Sequence, residues 1–302
     1  RGFVRKVAHI TGPDMDVLGP DIMTGPQQML WMLDEYEAIY GRKSPGFITG
    51  KPLSQAGSKG RKEACGYGVM ISVREAVKDL GIAIEKTTAS IQGFGNVGQH
   101  AAQLYDQMGG VITCISCWNH EDRTSYAFRK KQGFNLVEIT SITNQFGEIN
   151  RLKAEKLGYE CLPGDAWIEQ DVDILVPAAM ENQIRKDNVE KISSKVKIIA
   201  EAANGPTDLD VDPILSERGI LVIPDILANA GGVVCSYFEQ VQSNMNYFWS
   251  KEEVLGKLDN HMTSAYLDVS HFARTNDLPL RDAVYFVAVD RVAGDCEGRG
   301  WV

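Results

Sequence analysis

Gly93-Phe94-Gly95-Asn96-Val97-Gly98 is a G-x-G-x-x-G run. Thr88–Ile91 before it reads as a short strand. The residues after it read as a helix through Met108. In that setting Gly93 allows a tight turn, Gly95 lets backbone approach a diphosphate, and Gly98 permits close helix–strand packing. The helix N-terminus then offers free N–H groups and partial positive charge to an anion. Without that setting the run would be only a flexible turn. The same fingerprint asks for an acidic residue about 20 positions on, for the ribose hydroxyls. Cys117 stands near there, followed by Glu121 and Asp122 and then by Arg123, Arg129, Lys130 and Lys131. An acid would favour NAD and a base NADP, and the residues offer both.

Other chemistry-bearing spacings are weaker. Cys114-Ile115-Ser116-Cys117 is C-x-x-C, but no second pair exists to complete a zinc ribbon. It lies inside an apolar run read as a strand, not at a helix start where a redox thiol would be activated. Two buried, reduced thiols are expected, which points to the cytoplasm. Gly50-Lys51-Pro52 is no phosphate loop, because the spacing back to Gly46 is wrong and Pro52 replaces the required hydroxyl residue. Asp14, Asp16 and Asp21 crowd a Gly/Pro-broken loop, and Asp21 either does acid–base work or caps the next helix.

The elements that position these residues follow from periodicity. Residues 1–23 read as loops. A helix follows, capped by Thr24, with Pro26 in its first turn and Met29, Met32, Leu33, Tyr36 and Tyr40 at helical spacing. Residues 41–61 are rich in Gly, Lys, Ser and Pro and suit a domain boundary. Val69, Val73, Val77 and Leu80 mark a helix ending at Gly81. Val111–Ser116, Val172–Val176, Val196–Ala200 and Ile220–Ile223 read as strands between helical stretches, which implies a parallel sheet with right-handed crossovers. Ser250 and Glu253 form a capping box for a long helix to about Ala273, and a last helix starts near Pro279 with Ala283, Phe286, Val287 and Val292.

Composition sets the frame. The 302 residues are 44% hydrophobic and 24% charged, an ordinary globular make-up. Forty Asp plus Glu against 31 Lys plus Arg give −9, which argues against broad nucleic-acid binding. Neither a run of 18 apolar residues nor a basic-then-apolar N-terminus is present, so no membrane span or secretion signal is expected.

Several motifs in order resemble the glutamate dehydrogenase (Glu/Leu/Phe/Val dehydrogenase) family. They are Ile48-Thr49-Gly50-Lys51-Pro52, Gly57-Ser58-Lys59-Gly60-Arg61, Glu63-Ala64-Cys65-Gly66-Tyr67-Gly68 and Gln92–Gly98. Pro177-Ala178-Ala179, Ala202–Thr207 and Asn229–Val234 follow at the family's spacing. The resemblance runs from about residue 12 to the C-terminus. It implies an α/β fold: a Rossmann-like, doubly wound, mostly parallel sheet with a partial second domain and C-terminal helices. It divides the chain into 1–44, a remnant of the substrate domain, 45–240, the dinucleotide domain, and 241–302, helices returning to the first domain. It implies reversible oxidation of an L-amino acid to a 2-oxo acid and ammonia by hydride transfer to NAD or NADP, in a homo-oligomer that is commonly hexameric.

The resemblance also implies roles. Asp21 matches the catalytic aspartate. Ser236 and Val233 match the substrate pocket of the glutamate branch rather than the leucine or phenylalanine branches. Gly93, Phe94, Gly95, Asn96, Val97, Gly98, Ala179, Asn204 and Asn229 match cofactor-binding positions. Cys65 stands where the family commonly has Thr, and a thiol is a poor substitute for that hydroxyl. The family's catalytic lysine sits in a glycine-rich segment, to which none of Lys6, Lys43, Lys51 or Lys59 belongs. The 302-residue chain alone is therefore expected to be weak or inactive, either as a fragment of an enzyme or as a nucleotide-binding regulatory subunit.

Overall fold

Alternation along the strands gives the sheet two buried faces. Ile174 and Val176 enter one apolar cluster while Leu175 enters another, and Ile198 and Ala200 join the first while Ile199 joins the second. Successive strand side chains point to opposite faces, so such uniformly apolar runs are buried on both. The computed structural model describes residues 1–21 and 24–301.

The strands are β1 Thr88–Gln92, β2 Val111–Asn119, β3 Thr124–Arg129, β4 Glu160–Pro163, β5 Ile174–Pro177, β6 Ile198–Ala200 and β7 Leu221–Ile223. They form one sheet of order β4-β3-β2-β1-β5-β6-β7. β2, β1, β5, β6 and β7 run parallel, with β3 and β4 added as an antiparallel edge. The chain winds one way from β1 and returns to β5 on the other side of it. This is the expected doubly wound α/β fold, and its switch point lies between β1 and β5.

The helices are α1 Gly2–Val7, α2 Pro26–Tyr40, α3 Ala64–Asp79, α4 Asn96–Gln107, α5 Leu136–Ser141, α6 Arg151–Lys156, α7 Asp212–Glu217, α8 Asp225–Ala228, α9 Gly231–Met245, α10 Lys251–Asn276 and α11 Leu280–Gly298. Two compact units emerge. One comprises 1–64 and 231–261, the other 65–230 and 262–302. These differ from the expected 1–44, 45–240 and 241–302, because unit boundaries fall at the first turn of α3 and inside α10.

In the first unit Val4, Ala8, Met29, Leu33, Tyr36, Phe47 and Ile48 form the core, with the Tyr36 and Phe47 rings stacked at 3.8 Å. In the second, α3 supplies Val69, Val73 and Val77, α4 supplies Ala101 and Tyr105, and Tyr266, Val269 and Ala283 complete one face.

Four expectations need correction. Residues 1–23 contain a helix, α1. Thr24 does not cap α2: Gly25 is the cap, its N–H donating to Gln28 Oε1 at 3.0 Å, and the Thr24 hydroxyl instead accepts from Asp21 N at 2.7 Å. β2 runs three residues past Ser116, and β3 and β4 were not expected. The box on α10 is present, with Ser250 N donating to Glu253 Oε2 at 2.7 Å and Glu253 N to Ser250 Oγ at 3.1 Å.

Candidate functional site

Two groups of candidate residues form, one within each unit. In the second unit they gather beyond the C-terminal ends of β1, β5 and β6. Gly93 has φ +88°, and a Cβ there would lie 2.8 Å from Ala178 O and 3.0 Å from the Ala179 Cα. A Cβ on Gly98 would lie 2.0 Å from Gly93 O, so the helix start can close onto the strand end only with glycine. Gly95, the N-cap of α4, differs, since a Cβ there would meet nothing within 4 Å. The sequence thus leaves open space at the N-terminus of a twelve-residue helix, at the sheet's switch point. That geometry fits a diphosphate.

The neighbouring side chains divide by direction. Phe94 is buried in the core, its carbonyl accepting from Gln99 Nε2 at 2.8 Å, and Val97 packs against the same core. Both therefore offer backbone rather than side chain to a ligand. Cys65 is half-buried in the first turn of α3. Its neighbour Gly66 abuts α4 so closely that a Cβ would lie 2.5 Å from Val97 O.

Asn204 and Asn229 are brought together, with Asn229 Nδ2 donating to Asn204 Oδ1 at 2.8 Å. Their loops are anchored. Ala202 N and Ala203 N donate to Pro177 O at 3.1 and 2.9 Å. Buried Glu201 accepts from Arg281 on α11 at 2.7 and 3.0 Å and from Asp225 N, at the start of α8, at 2.9 Å. The role of Arg281 was not legible, because its partners lie 80 and 69 residues away.

In the first unit the loop carrying Asp21 lies beside Ile48–Lys51. Thr49 N donates to Leu18 O at 2.8 Å, and Gly50 approaches the Pro20 ring so closely that a Cβ would fall 2.7 Å from it. Thr49 Oγ1 in turn is 3.1 Å from Ser236 Oγ on α9. Asp21 is exposed, and its carboxylate takes no part in the α2 cap. Val233 is 68% exposed, one turn before Ser236.

Sequence reasoning missed two residues here. Arg61 Nε donates to Ser236 Oγ at 3.2 Å, so a guanidinium and a hydroxyl stand together, a donor pair suited to a carboxylate. Lys51 is the other. Its ammonium, fully buried, donates to Glu239 Oε1 at 2.7 Å and to Ile48 O at 2.6 Å. Glu239 also accepts from Gly50 N and Lys51 N, each at 3.1 Å. Burial lowers the Lys51 pKa against the pull of Glu239. The pair pins the Thr49 turn to α9.

Cys114 and Cys117 are buried and unbridged, as expected, and burial pushes their thiols up to about 12 and about 11. Neither is a nucleophile at neutral pH.

Comparison with known proteins gives consistent matches. Residues 56–300 match the glutamate/leucine/phenylalanine/valine dehydrogenase family, and residues 1–38 match that family's dimerisation domain. A catabolic NAD-specific glutamate dehydrogenase of Bacillus subtilis is 41% identical over 302 residues, covering all of this chain and 68% of that protein. An NAD-specific glutamate dehydrogenase of Staphylococcus aureus is 40% identical over all of this chain and 70% of its own length. Among solved structures, the glutamate dehydrogenase of Peptoniphilus asaccharolyticus superposes with a TM-score of 0.85 at 36% identity, over 100% of this chain and 69% of that one. A leucine-bound, hetero-hexameric glutamate dehydrogenase of Thermus thermophilus gives 0.88 at 27% identity, over 98% and 68%.

Proposed function

Because this chain belongs to the glutamate/leucine/phenylalanine/valine dehydrogenase family, we propose that it serves the reversible oxidative deamination of L-glutamate to 2-oxoglutarate and ammonia, with NAD as hydride acceptor. The observation that carries this is the open Gly95 position at the α4 N-terminus, at the switch point of the sheet. The two NAD-specific relatives support the choice of NAD and glutamate.

In this reading the backbone of Gly93–Gly98, with Asn96, holds the diphosphate. Ala179 and Cys65 flank it, and Asn204 and Asn229 hydrogen-bond ribose or carboxamide. Ser236 and Arg61 bind a substrate carboxylate beside Val233. Asp21 moves protons at the substrate α-nitrogen and the attacking water. Bound nicotinamide supplies the hydride acceptor.

Self-assembly is part of the same reading. Phe3, Ile10 and Trp31 are 57%, 55% and 48% exposed on the segment that matches the dimerisation domain, and the Thermus relative is hexameric. The cysteines, none of them bridged, suit the reducing cytoplasm. Among the described residues no helix is long and apolar enough to cross a membrane.

The test is absorbance at the reduced-nicotinamide band with the full encoded protein, offering glutamate, leucine and phenylalanine in turn. Glutamate-dependent reduction of NAD is expected. Preference for leucine or phenylalanine would move the chain to another branch, and nucleotide binding without turnover would make it a regulatory subunit.

A further inference from the structure

Dinucleotide folds of this type ordinarily place a carboxylate at the end of the second strand, where it accepts from ribose hydroxyls. β2 has none. Gly93 N donates to Ser116 O at 2.7 Å, so the next residue, Cys117, stands level with the glycine turn. Its side chain is buried and accepts from Ile149 N at 3.4 Å. Trp118 and Asn119 finish the strand.

A carboxylate from elsewhere in the chain is brought to Asn119, the last residue of β2. Thr143 and Ile149 pair as an antiparallel bridge, closing a short hairpin in which Gly147 N donates to Asn144 O at 3.0 Å. This hairpin docks on both the turn and the strand. Gly147, at φ +83°, lies so close that a Cβ would fall 2.3 Å from Phe94 O and 2.7 Å from Gly95 N. Ile149 holds Cys117. Between them, Glu148 lines a cavity of about 510 Å³ together with Asn119.

The Glu148 carboxylate is fixed and only 15% exposed. Oε1 accepts from Asn119 Nδ2 at 2.6 Å. Oε2 accepts from Asn144 Nδ2 at 3.0 Å and lies 3.3 Å from His120 Nδ1. A carboxylate has about four acceptor sites, so capacity remains for an incoming hydroxyl. The cavity's other charges are Glu121 and Asp122 against Arg151 and Lys153. Three acids against two bases leave it net negative. Arg151 is already engaged, donating to Tyr126 Oη at 3.1 Å and lying 3.9 Å from Asp122.

We propose that Glu148, oriented by Asn119 and Asn144, is the carboxylate that reads the adenosine ribose of the dinucleotide and repels a 2′-phosphate. It would replace the strand-end acid that Cys117 cannot supply. The proposal rests on the dinucleotide reading above.

Equilibrium titration of the 302-residue chain with NADH and NADPH, followed by nicotinamide fluorescence, tests it without turnover. The unaltered chain is expected to bind NADH at least about 10-fold more tightly than NADPH, the scale of one charge-assisted hydrogen bond. Glu148→Gln should shrink that ratio about 10-fold by weakening NADH, and Glu148→Lys should invert it by strengthening NADPH. Thermal melts report that each variant is folded. A preference for NADPH in the unaltered chain, or a ratio unmoved by both substitutions, overturns the role of Glu148 alone. Failure to bind either nucleotide overturns the dinucleotide reading itself.

Discussion

Asp21 is held by its backbone. Its N–H donates to Thr24 Oγ1 at 2.7 Å, and the Thr24 hydroxyl donates back to Asp21 O at 2.8 Å. Because Gly25 and Gln28 make the helix cap, the Asp21 carboxylate is left for chemistry. Asp21→Asn in the full encoded protein should lower kcat by about 10²–10⁴-fold and leave NADH affinity unchanged, read by steady-state turnover beside a fluorescence titration. Unaltered kcat would remove Asp21 from the mechanism. The buried thiols make a second prediction. Burial raises Cys117 from an ordinary value near 9 to about 11. Below pH 9 the thiol is protonated folded or unfolded. Above it the unfolded chain loses the proton first, so stability falls between about pH 9 and 11. Urea unfolding should show that loss, and Cys114→Ala with Cys117→Ala should diminish it. An identical pH slope in the double variant would contradict the assignment. At this scale the motif glycines were legible, because φ and close approach demand the residue type. Arg61, Lys51 and Glu148 were not, since Ser236, Glu239 and the strand-end Asn119 that they meet lie 175, 188 and 29 residues away.

The Thr49 turn depends on a buried ion pair. Lys51→Met leaves the Glu239 carboxylate buried without its cation, which costs about 3–5 kcal/mol. Replacing both with Met should recover only part of that, because Gly50 N, Lys51 N and Ile48 O then lose their partners. Urea midpoints decide it, and a loss below about 1 kcal/mol for the single variant would show that the turn is held otherwise. The parallel strands were legible because β5 and β6 bury both faces and so read as short apolar runs. β3 and β4 were not. Thr124–Arg129 mixes polar with apolar residues, and Glu160–Pro163 is four residues long and ends in proline. Their pairing also draws β2 onward, with Trp118 opposite Ser125 and Asn119 opposite Thr124, which is why the second strand outlasts its apolar stretch.

Over the whole chain, the parallel sheet could be read from strand–helix alternation and its doubly wound order was implied by the family resemblance, whereas the division into units could not be read. Segments 1–64 and 231–261 join in space, and their limits fall at the starts of α3 and α9 and inside α10, where composition does not change. The account's central claim is that a nicotinamide dinucleotide rests its diphosphate over Gly95. A ligand that binds only the folded chain stabilises it by about 2.7 kcal/mol at 100 times its Kd. Gly95 has φ −73°, which any residue adopts, and a Cβ there meets no protein atom within 4 Å. The deciding measurement is the NADH-induced stabilisation of the unaltered chain and of Gly95→Val, by thermal unfolding. The account predicts a clear rise for the first and none for the second, whose melting temperature without nucleotide is lowered only by the poorer N-cap that valine gives α4. An equal rise in both, or none in either, would contradict it.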